Sequence, residues 1–186
     1  MKLGEAKALI WCILDEHSSG GTVEHDQDIA LRIPAMLHSQ LRRLSTHVEI
    51  PKVYILPSYD RTDGKPQAFP MPEDFFRLRH VWADMEQVSR GIWLGNAIVI
   101  PATETRKILI EYAAFPPAID EDSPDDLELE LREDACICAC YFTAGALVLA
   151  DVIVDSNRIL AMASQLLEEL DKEREPGEVR IREDLF

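Results

Sequence analysis

The chain has 186 residues, of which 47% are hydrophobic and 28% are charged, and these are the proportions of an ordinary globular domain with a buried core. Its 34 acidic and 19 basic residues give a formal net charge of −15. This charge disfavours nucleic-acid binding through a basic face, because such binding depends on Lys and Arg. In the simplest interpretation the acidity keeps the protein soluble.

Two helices are predicted before residue 50. Over 2–17, apolar residues recur every three or four positions and form one stripe of a helix, which ends at a Ser-Ser-Gly-Gly turn. This segment has an acidic residue in its first turn and no small-residue cleavage site, so we expect no secretory signal. A second helix is predicted over 26–48, with Asp26 as its N-cap and Pro34 as a kink or a break.

A β element is predicted over 52–115. Five prolines between positions 51 and 72 exclude a continuous helix there. The dipeptide Gly95-Asn96 separates two apolar runs and suits a tight hairpin, because both residues tolerate positive φ. We expect three or four short antiparallel strands, since an isolated hairpin would be marginal. The predicted strands include 53–56, 78–88 and 108–112.

An acidic run leads from the β element into a second pair of helices, predicted over 133–154 and 157–172. The run at 120–126 is most simply a solvated loop, and alternatively an acidic rim that faces a partner or a channel. Asp155 or Ser156 is expected to cap the last helix. The candidate rim residues are Asp120, Glu121, Asp122, Asp125 and Asp126.

The third helix is rich in small residues and carries three of the four cysteines. Small side chains let helix backbones approach closely, so we expect this helix at the centre of the helical bundle. Its apolar run 135–150 is shorter than the roughly 20 residues of a bilayer span, so we expect no membrane insertion. Cys136 and Cys140 share a helix face, but the remaining Cys12 completes no second pair for zinc. We therefore expect reduced core thiols and no metal.

No catalytic motif is visible in the sequence. The five histidines form no HExxH pattern, and no nucleophile elbow, phosphate-binding loop or dinucleotide fingerprint is present. Glu73 and Asp74 are adjacent rather than convergent, which gives no support to a glycosidase pair. Trp82, Trp93 and Tyr112 are either core residues or interface anchors. We expect no enzyme activity, no catalytic residues and no cofactor.

Together these elements predict a mainly α fold with an inserted small antiparallel β element. Two helices precede the β hairpin or small sheet and two follow it, which gives a four-helix body. This body and its insertion are expected to form a single domain over 1–172. Residues 173–186 are expected to form an extended C-terminal tail, in which alternating apolar residues follow a Pro-Gly break.

The order of these segments resembles that of the head-to-tail adaptors of tailed bacteriophages, the ring-forming neck proteins that dock under the portal. The resemblance covers most of the chain, to about residue 170, and rests on segment order and short motifs. These are a Pro-Glu-Asp-Phe stretch within 56–76, a Gly-Asn hairpin within 93–100, a strand with Ile-x-Ile-x-Tyr within 108–116, and a small-residue helix pair at 133–170.

The resemblance implies a structural virion protein that forms a ring, commonly of twelve copies, and extends the DNA channel from the capsid. The implied partners are the portal protein, a stopper or tail-completion protein, and further copies of the chain. DNA would pass without specific binding, because acidic residues facing the channel repel it. The implied location is the neck of the virion, and the host cytoplasm before assembly.

The resemblance also makes the tail a candidate for docking to the portal or to a neighbouring subunit, with ordering on binding. A frayed terminus is the alternative. The loop 58–66 is a second contact candidate. The candidate docking residues of the tail are Glu178, Val179, Arg180, Ile181, Arg182, Leu185 and Phe186.

Three other classes of protein remain open. The first is another neck protein, a stopper or a tail-completion protein, although these tend to contain more β structure. The second is a non-viral helical interaction module, which predicts a small stable oligomer without affinity for a portal. The third is a small cytoplasmic enzyme, which requires a concave site with convergent polar groups.

Overall fold

A computed structural model of the chain describes residues 1–18, 27–56, 66–84, 86–87, 92–94, 97–100, 107–149 and 154–172. The chain divides into two compact units, a first unit of Met1–Val48 with Ala118–Phe186 and a second unit of Glu49–Pro117. Each unit is described by itself below. The single domain expected over 1–172 stays a prediction.

The helices belong to the first unit. The described residues form four of them: α1 (Leu3–Glu16), α2 (Gln27–Leu44), α3 (Glu133–Leu147) and α4 (Ser156–Lys172). The bounds of α1 and α4 agree with the predicted helices 2–17 and 157–172 to within one residue at each end.

The second helix is shorter than predicted. It ends at Leu44 and not at Val48, because the chain tightens into a turn in which the N–H of His47 donates to the Leu44 carbonyl at 2.8 Å. Pro34 lies inside α2, where its side chain is buried. Of the two alternatives predicted for Pro34, a kink or a break, the break is therefore not found.

The third helix is also shorter than the predicted 133–154. It ends at Leu147, and Val148 leaves the helical conformation with φ −112° and ψ 20°. The apolar residues that follow continue the hydrophobic pattern without a proline or glycine, which is why the prediction ran too far. Val154 instead pairs with Ser18 in an isolated antiparallel bridge. Asp155 then accepts the N–H of Arg158 at 3.1 Å and so caps α4, as predicted.

Small side chains place α3 at the centre of the first unit. It contacts α1, α2 and α4, and most of its residues are buried around the whole helix. A Cβ at Gly145 would lie 2.7 Å from Cδ2 of Leu160, so a larger residue here would require the Leu160 side chain to move. The neighbouring helices bury one stripe each, as in Leu3, Ala6, Ile10, Ile13 and Leu14 of α1.

The second unit contains the strands. The described residues form seven strands in two antiparallel sheets, where one small sheet was predicted. Pairing between distant short runs explains the difference, because such pairing cannot be read from local pattern. The strands are β1 (Ile50–Ile55), β2 (Gln67–Pro70), β3 (Phe75–Ala83), β4 (Glu86–Gln87), β5 (Ile92–Leu94), β6 (Ala97–Ile100) and β7 (Ile108–Ala114).

The two sheets share one apolar core. The four-stranded sheet has the order β1-β7-β3-β4, and the three-stranded sheet has the order β2-β6-β5. Alternate residues of the strands point between the sheets, so each sheet has an inner face and an outer face. The core residues are Leu56, Phe69, Met71, Val81, Ala83, Ile98, Ile100, Ile108 and Ile110.

The strand predicted over 78–88 has different bounds in the structure. It begins earlier, at Phe75, and turns at Asp84, whose φ of 48° is left-handed. This turn starts the β3–β4 hairpin, with Ala83 opposite Glu86. The predicted Gly-Asn turn itself lies outside the described residues, but Leu94 and Ala97 pair on either side of it in antiparallel strands.

Among the described residues, none of the helices has the length and apolar character needed to cross a membrane.

Candidate interaction surfaces

Asp74 joins three segments of the second unit. Its Oδ1 accepts a hydrogen bond of 3.0 Å from the hydroxyl of Tyr112 on β7, and its Oδ2 pairs with Nζ of Lys52 on β1 at 3.0 Å. Its backbone carbonyl accepts the N–H of Phe115 at 2.7 Å. Tyr112 is buried, and Asp74 and Lys52 are each about one third exposed at the side chain. This carboxylate therefore ties the start of β3 to β1 and to the end of β7.

Aromatic rings pack around this joint. The rings of Phe75 and Tyr112 lie 5.8 Å apart between centroids, and those of Phe76 and Phe115 lie 4.7 Å apart. These separations are typical of favourable tilted aromatic pairs. The Pro-Glu-Asp-Phe stretch and the Ile-x-Ile-x-Tyr strand, which the sequence places about 38 residues apart, thus meet in one cluster.

The outer face of the four-stranded sheet carries an apolar row. The register aligns Ile55 with Leu109 and Leu109 with Trp82, so these three side chains lie side by side across β1, β7 and β3. Ile55 is 49% exposed, and Leu109 and Trp82 are partly exposed. Trp82 is therefore less buried than Tyr112. An aromatic and aliphatic row of this kind is typical of contact surfaces.

A histidine and carboxylate pair lies in the next row of the same face. The register aligns Val53 with Glu111 and Glu111 with His80, and Nδ1 of His80 lies 3.1 Å from Oε2 of Glu111. The His80 ring also lies 6.0 Å from the ring of Trp82. Val53 is 56% exposed. Val53 and Trp82 thus flank this polar pair, and Arg77 lies beyond it on the same face, opposite Ala113. A polar pair of this kind can fix the orientation of a bound partner.

A second charged group lies beside the start of β1. The carboxylate of Glu49 is almost fully buried and forms ion pairs with Arg77 and Arg79 of β3. These two ion pairs connect the residue before β1 with β3, which lies two strands away in the sheet. This cluster was not found from the sequence, because the three residues carry no motif and meet only through strand pairing.

The acidic run 120–126 is a folded loop on the N-terminus of α1. Asp125 pairs with Lys7 at 2.7 Å, and its carbonyl accepts the N–H of Gly4 at 2.8 Å. A Cβ at position 4 would lie 3.0 Å from the Asp125 Cβ, so glycine permits this contact. Asp120 accepts the Ser123 hydroxyl at 2.8 Å and closes the local turn.

All five candidate rim residues are exposed. They are Asp120, Glu121, Asp122, Asp125 and Asp126. They lie on one loop that contacts α1 and faces solvent, which agrees with the simplest prediction of a solvated loop. Whether they face a channel depends on an assembly and stays a prediction.

The candidate docking residues of the tail lie outside the described residues. They are Glu178, Val179, Arg180, Ile181, Arg182, Leu185 and Phe186. The same is true of the loop 58–66, apart from its last residue. Their docking role stays a prediction.

The cysteines of α3 are buried, and burial controls their chemistry. Loss of solvation raises the pKa of Cys136 and of Cys138 to about 11 and that of Cys140 to about 12. Their thiols point at backbone carbonyls, as in the contact of Cys138 with the Ala163 carbonyl at 3.5 Å. Cys12 is exposed. In the described part of the chain no group of three metal-ligating side chains comes together.

Comparison with known proteins gives no family assignment. No protein-family model matches the chain, and no curated protein matches it at a significant level.

Proposed function

We propose that this chain is a structural head-to-tail adaptor of a tailed bacteriophage. The observation that carries the proposal is the hydrogen bond between Asp74 and Tyr112. This bond connects two of the four segments on which the resemblance rests. The two motifs thus lie in one β unit, as the resemblance implies.

The finer architecture belongs to the same proposal. The four helices form the body that packs side by side in a ring, and the β unit is an insertion that carries a contact surface. The central position of α3 supports this assignment, because a body with a rigid small-residue core keeps its shape when it assembles. The tail 173–186 docks to the portal or to the next subunit.

The surfaces of the described residues suit assembly. The outer face of the four-stranded sheet offers aliphatic and aromatic side chains around the His80–Glu111 pair. Such a mixture of apolar contact area and few polar groups is typical of protein interfaces. The exposed acidic loop at 120–126 and the net charge of −15 suit a channel through which DNA slides without adhering.

Binding to tailless heads tests the proposal. Purified chain is mixed with tailless heads from a lysate and with complete particles, and each sample is sedimented and probed for the chain. The adaptor assignment predicts that the chain sediments with tailless heads, whose portal is free, and not with complete particles, whose neck is occupied. Equal amounts on both, or none on either, would contradict it.

A helical interaction module is the second candidate. The apolar row on the sheet supports an interaction module as well as it supports an adaptor, because any protein partner can use such a surface. The experiment above separates the two, since a module without affinity for a portal stays in the supernatant.

A further inference from the structure

The outer strand of the four-stranded sheet has a free edge. The N–H of Leu56 donates to the Ile108 carbonyl at 3.1 Å, and Ile55 lies opposite Leu109 in the register. Hydrogen bonding alternates along an antiparallel pair, so even-numbered residues of β1 bond to β7. Pro51, Val53 and Ile55 therefore direct their backbone groups away from the sheet. In the sheet order found among the described residues, nothing pairs with this side of β1.

This edge carries little of the usual protection: Pro51 removes one N–H from its free side, and Lys52, the one charged residue of β1, lies on the inner face and pairs with Asp74. Natural sheets block free edges with charged side chains, prolines or very short strands. At the opposite edge, β4 is two residues long and carries Glu86. In the smaller sheet, the edge strand β2 ends in Pro70. β1 has six residues, and Val53 and Ile55 expose about half of their aliphatic side chains beside the free backbone groups.

We propose that β1 pairs antiparallel with β1 of a second copy of this chain, about a two-fold axis at Val53. Val53 then lies opposite the partner's Val53, and the two residues exchange both of their backbone hydrogen bonds. The N–H of Ile55 donates to the carbonyl of the partner's Pro51, and the symmetry repeats this bond on the other side. The two four-stranded sheets become one continuous sheet.

This register is self-complementary in its side chains. On the outer face, Val53 meets the partner's Val53, and Ile55 meets the partner's Pro51, so every contact there is apolar. On the inner face, Lys52 lies opposite the partner's Tyr54, and the two lysines do not face each other. Like charges directly opposite would be destabilising, and this register avoids them. Continuity of aliphatic contacts across the axis favours a second copy over a foreign strand.

Charge distribution selects the same edge. Two copies of a chain with a net charge of −15 repel each other over most of their surfaces. Residues 50–55 contain no acidic residue and one lysine. Contact through β1 therefore brings together a part of each molecule that lacks the excess negative charge. The pairing concerns the free protein and does not depend on the adaptor function.

Matched charge variants test the pairing. Val53→Lys places two lysines opposite each other on the axis, and Leu31→Lys adds the same charge at a helix position that is 62% exposed. Sedimentation equilibrium of the full chain should show a concentration-dependent dimer. Val53→Lys should raise the dissociation constant of the dimer at least about tenfold, because the new lysines repel each other and protect the edge. Leu31→Lys should leave it within about twofold, since surface substitutions far from the contact have small effects.

Cross-linking tests the register. In a Cys12→Ser background, Val53→Cys brings two thiols to opposite positions, where Cα atoms of a hydrogen-bonded pair lie about 5.5 Å apart and a disulfide fits. Ile55→Cys is the control, because the two copies of that residue lie four positions apart along the strand, about 14 Å. Oxidation should therefore cross-link Val53→Cys and leave Ile55→Cys monomeric on denaturing gels.

Several results would overturn the proposal. A chain that sediments as a monomer at all concentrations has no such pairing. An oligomer that survives Val53→Lys uses another surface. Equal cross-linking of both cysteine variants shows another register or random collision. Circular dichroism of each variant confirms that the fold is intact, so that loss of the dimer is not caused by unfolding.

Discussion

The hydroxyl of Tyr112 lies 3.0 Å from Oδ1 of Asp74, and the same carboxylate lies 3.0 Å from Nζ of Lys52. Asp74 precedes β3, Tyr112 lies on the central strand β7, and Lys52 lies on the edge strand β1. One side chain thus links the three long strands of the sheet. We therefore expect this contact to contribute to the stability of the β unit.

Removal of the Tyr112 hydroxyl should destabilise the chain. Tyr112→Phe leaves the ring in the core but removes one donor from Asp74, and we expect a loss of about 1–2 kcal/mol in the free energy of unfolding. The measurement is denaturant unfolding followed by fluorescence. Tyr54→Phe is the matched control, because in the described part of the chain the Tyr54 hydroxyl has no hydrogen-bond partner.

A double-mutant cycle then isolates the contact. The loss caused by Tyr112→Phe should largely disappear in an Asp74→Ala background, which removes the acceptor. Equal losses in both backgrounds, or a loss of the same size for Tyr54→Phe, would show that the hydroxyl does not act through Asp74.

Gly145 should not tolerate a methyl group. In Gly145→Ala the new Cβ would lie 2.7 Å from Cδ2 and 2.8 Å from Cγ of Leu160. Overpacking of this kind costs about 1–3 kcal/mol, which exceeds the gain of up to about 1 kcal/mol in helix propensity. Thermal unfolding should therefore show a lower melting temperature. In a Leu160→Ala background the clash is absent, so the same substitution should become neutral or stabilising; a loss in both backgrounds would locate the strain elsewhere.

Thiol reactivity should separate the four cysteines. Cys12 is exposed, whereas burial raises the pKa of Cys136, Cys138 and Cys140 and shields their sulfur atoms. At pH 8 we expect Ellman's reagent to react rapidly with one thiol per native chain and with all four after unfolding. Cys12→Ser should abolish the rapid phase. More than one rapid thiol in the native wild-type chain would contradict the burial of α3.

The same thiols should lower stability in alkaline solution. Their pKa values are raised in the folded chain from an ordinary 9.0 to about 11 or 12. Below pH 9 they are neutral in both states, but above it the unfolded chain loses their protons first, so the free energy of unfolding falls as the pH rises. Cys140→Ala removes one of these groups and should reduce the slope between pH 9 and 10.5 in urea unfolding. An unchanged slope would show that Cys140 does not contribute.

Asp134 should stabilise the first turn of α3 through its bond to Arg132. The Arg132 guanidinium donates to this carboxylate at 2.9 and 2.5 Å and holds its pKa below the usual 3.8. The stabilisation is present above that pH and is lost as the pH falls through the lowered value. Asp134→Asn should cost less than about 1 kcal/mol at pH 7, because the pair is half exposed, and this cost should shrink as the pH falls below 3.8.

The neighbouring Glu133 provides the control for this pair. Glu133→Gln removes the same charge from the same turn without removing the partner of Arg132. It should therefore cost less than Asp134→Asn at pH 7 in urea unfolding. Equal losses would assign the effect to the helix dipole alone.

Local patterns predicted the helices well and the sheets only in outline. The stripes of α1 and α4 are periodic and end at recognisable turns or caps, so their bounds agreed to within one residue. The end of α3 was missed because Val148 and the apolar residues after it continue the helical pattern, and only the pairing of Val154 with Ser18 shows that the chain has left the helix.

The candidate surfaces depend on tertiary pairing and could not be read from the chain alone. Residues 53–56 are all apolar, so alternation gave no sign that Val53 and Ile55 point outward while Tyr54 and Leu56 point to the core. Asp74 was noted in the sequence for the motif it belongs to, but its partner Tyr112 emerges only from the register of β3 and β7.

The most direct test of the adaptor function is immunogold electron microscopy of phage particles from the source culture. Antibody against this chain is applied to intact particles and to tailless heads, with preimmune serum as the control. The account predicts gold at the neck or the portal vertex. Particles without label, together with soluble chain in the lysate, would contradict it and leave the chain as an interaction module.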